Sequence, residues 1–180
     1  MKYISILMLI FMMACNQNQQ DQNESEADPE TGNNEVEATS ANQELNEPTI
    51  QNITQAYLNL KQSLVDAQVT DAKAAAESIV NSLKNEQNLS GKVENMMNDA
   101  AHIASKEDIS HQREHFKSLS DNLYQVVKSS GANQQTLYWQ YCPMAFDNQG
   151  ASWLNASSEI TNPYFGDQML KCGTTKETLN

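Results

Sequence analysis

Sulfur donors cluster near the carboxyl end of this 180-residue sequence. Cys142-Pro143-Met144 and Met169-Leu170-Lys171-Cys172 each place a thiol two or three positions from a thioether. Thiolates and thioethers are soft, polarisable ligands that together select Cu(I) over hard cations. If the chain folds back between these two segments, their four sulfur atoms could surround one ion.

The same two cysteines also fit a different structure. In an oxidising compartment, Cys142 and Cys172 could form a disulfide that stabilises the fold by roughly 3–4 kcal/mol. Met144 and Met169 would then fill the core, as methionines often do. Spacing and compartment favour the disulfide, but a pair that is reduced when metal is bound stays open as an alternative.

Imidazoles provide a second set of candidate ligands. His111 and His115 lie four residues apart, which puts them on one face of a helix and suits metal chelation. Exposed polar residues on an amphipathic helix are the alternative interpretation. His102 is isolated in the sequence and is expected to be an ordinary, partly buried histidine. We expect Arg113 to pair with a carboxylate such as Asp147 or Asp167.

Motifs for catalysis are absent from the sequence. It contains no glycine-rich phosphate loop, no Gly-x-Ser-x-Gly elbow and no zinc-protease motif around His111. Cys142 precedes a proline instead of opening a helix that would lower its pKa, so a nucleophilic role is disfavoured. We therefore predict that the protein is not an enzyme.

The amino terminus predicts export. Lys2 is followed by a short apolar run, Ile4 to Met13, that is too brief to span a bilayer. The run ends at Ala14-Cys15, which resembles the lipobox of bacterial lipoproteins. We predict that residues 1–14 are a signal peptide and that Cys15 is acylated, against the alternative of an ordinary signal peptide with a chance cysteine. The protein would then lie in the bacterial cell envelope, at the periplasmic face of the outer membrane or the cell surface, with the lipid as its only membrane contact.

Charge is distributed unevenly along the chain, whose net charge is -12. Residues 16–47 contain nine acidic residues and no Lys or Arg, whereas the sequence from Pro48 onward has fourteen acids and ten bases. Polar, acidic sequence of this kind cannot bury enough apolar surface to order itself, so residues 15–47 are expected to be a disordered tether. A surface-sorting signal is the alternative. Nucleic-acid binding is disfavoured because no basic patch exists.

From Pro48, apolar residues recur at helical spacing and predict four amphipathic helices joined by short loops. Thr70 and either Asp108 or Ser110 are the expected N-caps, and the breaks are expected at residues 88–91 and 129–131. Four such helices suggest an antiparallel bundle. The expected inward positions are Ile53, Tyr57, Leu60, Leu64, Ala72, Ala75, Ala76, Ile79, Leu83, Val93, Met96, Met97, Ala100, Ala104, Phe116, Leu119, Leu123 and Val126.

The last fifty residues differ in character from the helical part. Leu137–Tyr141 is aromatic and strand-like, and prolines and glycines then divide the chain into turns. An irregular, aromatic-rich segment must pack on something, and the helices are the available surface. We therefore predict a mainly α domain over residues 48–180, with one or two short strands packed on a four-helix bundle.

Several motifs resemble a bacterial family of unassigned function, over about residues 53–179. Its members occur as small exported proteins and lipoproteins, and fused to the carboxyl end of periplasmic adaptor subunits of heavy-metal efflux pumps. Asn155 departs from the serine that is usual after Trp-Leu. The residues that carry the resemblance are His111-Gln112-Arg113-Glu114-His115-Phe116, Tyr141-Cys142-Pro143-Met144-Ala145, Gly150-Ala151-Ser152-Trp153-Leu154 and residues 160–173, Ile-Thr-Asn-Pro-Tyr-Phe-Gly-Asp-Gln-Met-Leu-Lys-Cys-Gly.

The resemblance implies a helical domain associated with copper or related metals. Our first hypothesis is a lipoprotein that binds a soft metal, Cu(I) foremost, and buffers it or passes it to an efflux-pump adaptor. Its expected ligands are Cys142, Met144, Met169 and Cys172, with His111 or His115 completing or replacing one. The second hypothesis is a disulfide-closed interaction module of the envelope that binds no metal.

Overall fold

The computed structural model describes residues 45–132 and 134–180. The predicted signal peptide, the predicted acylation site Cys15 and the predicted tether up to residue 44 lie outside this range. Leu45 is buried against the core and the first helix begins at Glu47, so residues 45–47 are part of the folded domain. Among the described residues, no helix is both long enough and apolar enough to cross a membrane.

The described part of the chain is mainly helical, with a small antiparallel sheet at its carboxyl end. Between the strands lie a four-residue turn, Ala145–Asn148, and a 3₁₀ turn, Gly166–Gln168. The long elements are α1 (Glu47–Val65), α2 (Val69–Leu83), α3 (Gly91–Ser105), α4 (Ile109–Ser130), β1 (Leu137–Cys142), β2 (Ala151–Asn155) and β3 (Thr174–Leu179).

Local sequence explains three of the eight ends of the four long helices. Asn46 caps α1 by accepting a hydrogen bond from the Thr49 amide at 2.9 Å. Asp108 caps α4 in the same way, by accepting a hydrogen bond from the His111 amide at 2.8 Å. Gly131 ends α4 in the left-handed conformation, at φ 61°. The expected cap at Thr70 is wrong. Thr70 lies inside α2, and the residue before that helix, Gln68, makes no side-chain cap bond.

The helices meet along their apolar stripes. Each helix contacts the next one in sequence, and α1 also contacts α4. Most of the predicted inward positions are buried, whereas Ala75, Met97, Ala104 and Val126 lie at the margin of the core. The periodicity therefore identified the buried face of each helix.

The sheet has the order β2-β1-β3, with both pairings antiparallel. Its central strand is the one that the sequence predicted. The sheet has three strands, whereas we expected one or two. β3 is a polar, mostly exposed edge strand with no apolar alternation, which is why its sequence did not predict a strand. Side chains hold β3 in place: Glu177 accepts hydrogen bonds from Tyr124 and Lys128 of α4.

A buried tyrosine joins the sheet to the helices. The Ser120 hydroxyl on α4 donates to the Phe116 carbonyl at 2.7 Å, so Tyr57 on α1 must donate its own proton to Ser120, also at 2.7 Å. The Tyr57 oxygen also accepts from the Leu154 amide of β2, at 3.0 Å. Burial raises the pKa of Tyr57, which keeps the phenol neutral and able to donate.

Replacing Tyr57 by Phe should destabilise the protein by about 1–3 kcal/mol, because the buried Leu154 amide loses its partner. Urea unfolding of the two proteins measures this difference. Tyr138→Phe is a suitable control, since Tyr138 is only half-buried and its hydroxyl makes no hydrogen bond to another described residue. Equal stability of wild type and Tyr57→Phe would contradict the role assigned to this hydroxyl.

A buried lysine gives the domain a second testable property. Lys61 is 3% exposed and donates to the Thr161 hydroxyl. Burial lowers its pKa to about 8, and the nearby Asp66 offsets this only in part. The charged amine therefore costs folding free energy at neutral pH.

Stability should rise between about pH 8 and pH 10, where the unfolded chain, with a lysine pKa of about 10.4, binds more protons than the folded one. Below pH 8 both states are protonated and the full cost of about 3 kcal/mol remains. Lys61→Met should remove this rise and stabilise the protein at pH 7. Urea unfolding from pH 7 to 10 is the measurement, with the exposed Lys92→Met as control. A rise that persists in Lys61→Met would refute the assignment.

Candidate metal centre

The two carboxyl-terminal cysteines form a disulfide. Cys142, at the end of β1, is bonded to Cys172, and their Cα atoms lie 5.6 Å apart. Cys142 is fully buried, and the backbone of Cys172 accepts a hydrogen bond from the Asn162 amide group at 2.9 Å. In this structure neither cysteine offers a thiolate to a metal. The bridge closes a 30-residue separation, for which chain entropy gives about 3–4 kcal/mol.

The two methionines of the sulfur clusters face a common cavity. Met144 and Met169 both line a surface cavity of about 480 Å³ beside the amino-terminal part of α4. Met144 is 47% exposed, and Met169 is half-buried. The structure thus places the two methionines on one cavity and joins the two cysteines to each other. His111 and His115 are not among the residues that line this cavity.

The histidines form a cluster of their own between α3 and α4. The ligand nitrogens of His102, His111 and His115 all lie within 4.8 Å of one another. The ring of His115 stacks on that of His102 with centroids 4.4 Å apart, and its centroid lies 4.7 Å from that of His111. These are all three histidines of the chain.

Sequence reasoning missed His102, which we expected to be isolated. It lies on α3, and only residues 106–108 separate α3 from α4. A loop this short turns the chain back sharply, so the end of α3 lies beside the start of α4. The short loop between α3 and α4 could therefore have indicated the cluster from sequence, because it places His102 opposite His111 and His115.

The carboxamide of Gln112 holds the turn between α3 and α4 in place. Gln112 is fully buried, and its amide group donates to the carbonyls of Lys106 at 3.0 Å, Val69 at 3.3 Å and Ile103 at 3.4 Å. Those carbonyls belong to the start of α2, the end of α3 and the connecting loop. Gln112, which lies between the candidate ligands His111 and His115 in the sequence, therefore fixes the backbone around them.

Two of the imidazoles have an Nε2 atom that no hydrogen bond within the described residues occupies. Nδ1 of His115 lies 2.9 Å from a carboxylate oxygen of Asp99, whose side chain is only 14% exposed. A carboxylate accepts a proton, so this contact favours the His115 tautomer with hydrogen on Nδ1 and a lone pair on Nε2. His111 Nε2 is buried and has no hydrogen-bond partner among residues 45–132 and 134–180. A buried imidazole nitrogen without a partner is costly unless something binds it.

The cluster would have to contract to hold an ion. Nitrogens about 2.0 Å from a tetrahedral metal lie roughly 3.3 Å from one another, which is less than the 4.8 Å limit observed here. His102 is the exposed member of the three and lies on a helix surface. Its side chain can make this movement without disturbing the core.

Arg113, between the two histidines of α4, does not pair with Asp147 or Asp167 as expected. Its Nε donates to the Pro163 carbonyl at 2.7 Å, and Nη2 donates to the Leu64 carbonyl at 2.9 Å. Partial burial lowers the pKa of this guanidinium. Arg113 therefore binds carbonyl groups that the carboxyl-terminal segment and the end of α1 leave free. No carboxylate is needed for that role.

Comparison with known proteins gives one family. Residues 53–135 match the model of a family described as Protein of unknown function (DUF3347). The match agrees with the expected resemblance to a family of unassigned function. It includes the three histidines and ends before β1, so the cysteine and methionine motifs lie outside it. No curated protein and no solved structure matches the chain.

In solution, the neutral His115 ring should carry its proton on Nδ1. Long-range proton–nitrogen NMR of the imidazole rings above pH 8 should show this tautomer, and Asp99→Ala should shift it toward the Nε2–H form that free histidine prefers. Asp99→Asn should keep much of the wild-type pattern, because the side-chain oxygen still accepts. The exposed neighbour Asn98→Ala is the matched control. A wild-type ring protonated on Nε2 would disprove the orientation inferred here.

Proposed function

We propose that this chain is an exported lipoprotein whose helical domain binds a copper ion through His102, His111 and His115. The observation that supports this most directly is that the three histidines, from two helices, lie together. One imidazole nitrogen among them is buried and has no partner within the described part of the chain. Random placement on helix surfaces would leave such side chains separated and hydrated.

The donor set narrows the class of ion. Three neutral imidazoles suit copper, zinc and nickel, and divalent copper binds most strongly in this series. The disulfide withdraws the thiolates that favoured Cu(I) specifically, so the proposal is for divalent copper at the histidines. No catalytic step is assigned to the ion.

Exchange of the ion fits the exposure of the ligands. His111 and His115 are half-buried on the capped α4, whereas His102 is exposed. Three protein ligands leave a coordination position open to a ligand from another molecule. Such a site would buffer copper or pass it to a partner. An efflux-pump adaptor is the partner we propose, and this rests on the sequence resemblance.

The remaining parts of the proposal come from the sequence. Acylation at Cys15 would anchor the protein in the cell envelope, and the acidic segment that follows would act as a tether. We further propose that α1 to α4 form one antiparallel bundle, supported by contacts between consecutive helices and between α1 and α4.

Metal titration of the full chain tests the function. Cys15→Ser removes the third thiol, so the remaining cysteines stay paired and Cu(II) or Zn(II) cannot bind a free sulfur. Calorimetry with a competing chelator should give one ion per chain. His111→Ala should weaken binding by at least about 100-fold. Loss of a direct metal ligand costs more affinity than the 10- to 100-fold that is typical when a hydrogen-bond partner of a ligand is lost.

Asn98→Ala is the control for this titration, because Asn98 is exposed on α3 and lies outside the cluster. It should bind as the parent does, and circular dichroism should show the same helix content in each variant. If neither ion binds the folded parent protein, the metal proposal is wrong. The disulfide-closed interaction module is then the better account.

A further inference from the structure

Met144 is exposed to solvent although its side chain is large and apolar. It is the large apolar side chain found exposed in the described part of the chain, with 47% of its surface open. Leaving a side chain of this size half in water forgoes part of the 1.5–3 kcal/mol that full burial provides. Its neighbour in the cavity, Met169, is half-buried, so two thioethers border the same open space.

One wall of this cavity has an unusual backbone. Phe146, Asp147 and Asn148 line it, and all three have positive φ, at 50°, 54° and 68°. Asp and Asn adopt this region readily, but Phe146 costs about 1–3 kcal/mol there, and such strain collects at ligand-binding sites. The Gly150 amide holds the turn by donating to the Ala145 carbonyl at 2.9 Å.

The disulfide holds the two thioether-bearing segments together. Cys142 precedes Met144 by two residues, and Cys172 follows Met169 by three, so the bridge restricts both segments at once. Because the bridge occupies both thiols, the thioethers are the soft donors that remain here. Thioethers bind soft monovalent ions and have little affinity for hard or borderline divalent ions.

Charge and aromatic rings around the cavity also suit a cation. Glu114 and Asp147 contribute two carboxylates to the lining, against one guanidinium from Arg113, which is already bound to two carbonyls. Aromatic rings of Phe146, Tyr164 and Phe165 complete the wall, and ring faces attract cations.

We infer that Met144 and Met169 form a second site, for a soft monovalent cation of the Cu(I) and Ag(I) class, separate from the histidine cluster. It rests on the thioether cavity alone and stands or falls independently of the proposed histidine site. The protein would then hold copper on nitrogen donors at one face of α4 and on sulfur donors at another.

Silver is the probe, since Ag(I) is a soft ion that does not need a reductant that would open the disulfide. The full chain with Cys15→Ser is labelled with ¹³C at the methionine methyl groups and kept oxidised, with a thiol assay confirming the bridge. Ag(I) should shift the Met144 and Met169 methyl signals together, with one midpoint, and leave Met96 and Met97 of α3 unchanged. Zn(II) should shift none of them.

Substitutions separate a shared site from chance contacts. Met144→Leu keeps the size of an exposed side chain. It should raise the Ag(I) concentration at the midpoint of the Met169 titration by about tenfold or more. The half-buried Met97→Leu is the matched control and should change nothing. An unchanged Met169 titration in Met144→Leu would overturn the inference, as would Ag(I) binding that shifts neither the Met144 nor the Met169 methyl signal.

The two proposals fail in different ways. Zn(II) binding at the histidines without Ag(I) shifts at the methyl groups would leave the proposed function standing and remove the thioether site. Ag(I) shifts at both methionines in a protein that binds neither Zn(II) nor Cu(II) would do the reverse.

Discussion

The buried carboxamide of Gln112 fixes the arrangement on which the candidate metal centre depends. Its amide group binds carbonyls at the start of α2, at the end of α3 and in the loop between α3 and α4. These segments must keep their positions for His102 to lie opposite His111 and His115. The amide group of Gln112 is costly to displace, because Gln112 is fully buried and a buried donor that loses its partners costs about 1–3 kcal/mol. The histidines therefore lie on a rigid frame, and only His102 has freedom to move.

Donor atoms divide between two parts of the molecule. Nitrogen donors lie on α3 and α4, within the residues that the DUF3347 model matches, and sulfur donors lie in the carboxyl-terminal segment beyond it. Tyr57 and Arg113 hold the second part on the first, through a shared hydroxyl and two carbonyls. The sulfur clusters consequently do not meet the histidines around a single ion. Each set of donors has its own surroundings and its own preference among metals.

The sequence predicted the elements better than the contacts between them. Apolar spacing and local caps located all four helices and β1, because these signals act within a few residues of one another. β3 escaped notice because an exposed edge strand needs no apolar alternation, and Thr70 misled because a good capping residue also occurs inside helices. The partners of Arg113 and the place of His102 depend on residues tens of positions away or across a turn. The cysteine pair was predicted as one of two alternatives, because spacing alone cannot distinguish a bridge from two ligands.

X-ray absorption at the copper edge is the most direct test of the central claim. The sample is the full chain with Cys15→Ser, its disulfide intact, loaded with one equivalent of Cu(II). The account predicts a first shell of nitrogen with the multiple-scattering pattern of imidazole rings, and that pattern should lose intensity in His102→Ala. A first shell that contains sulfur, or one made only of oxygen without imidazole scattering, would contradict it.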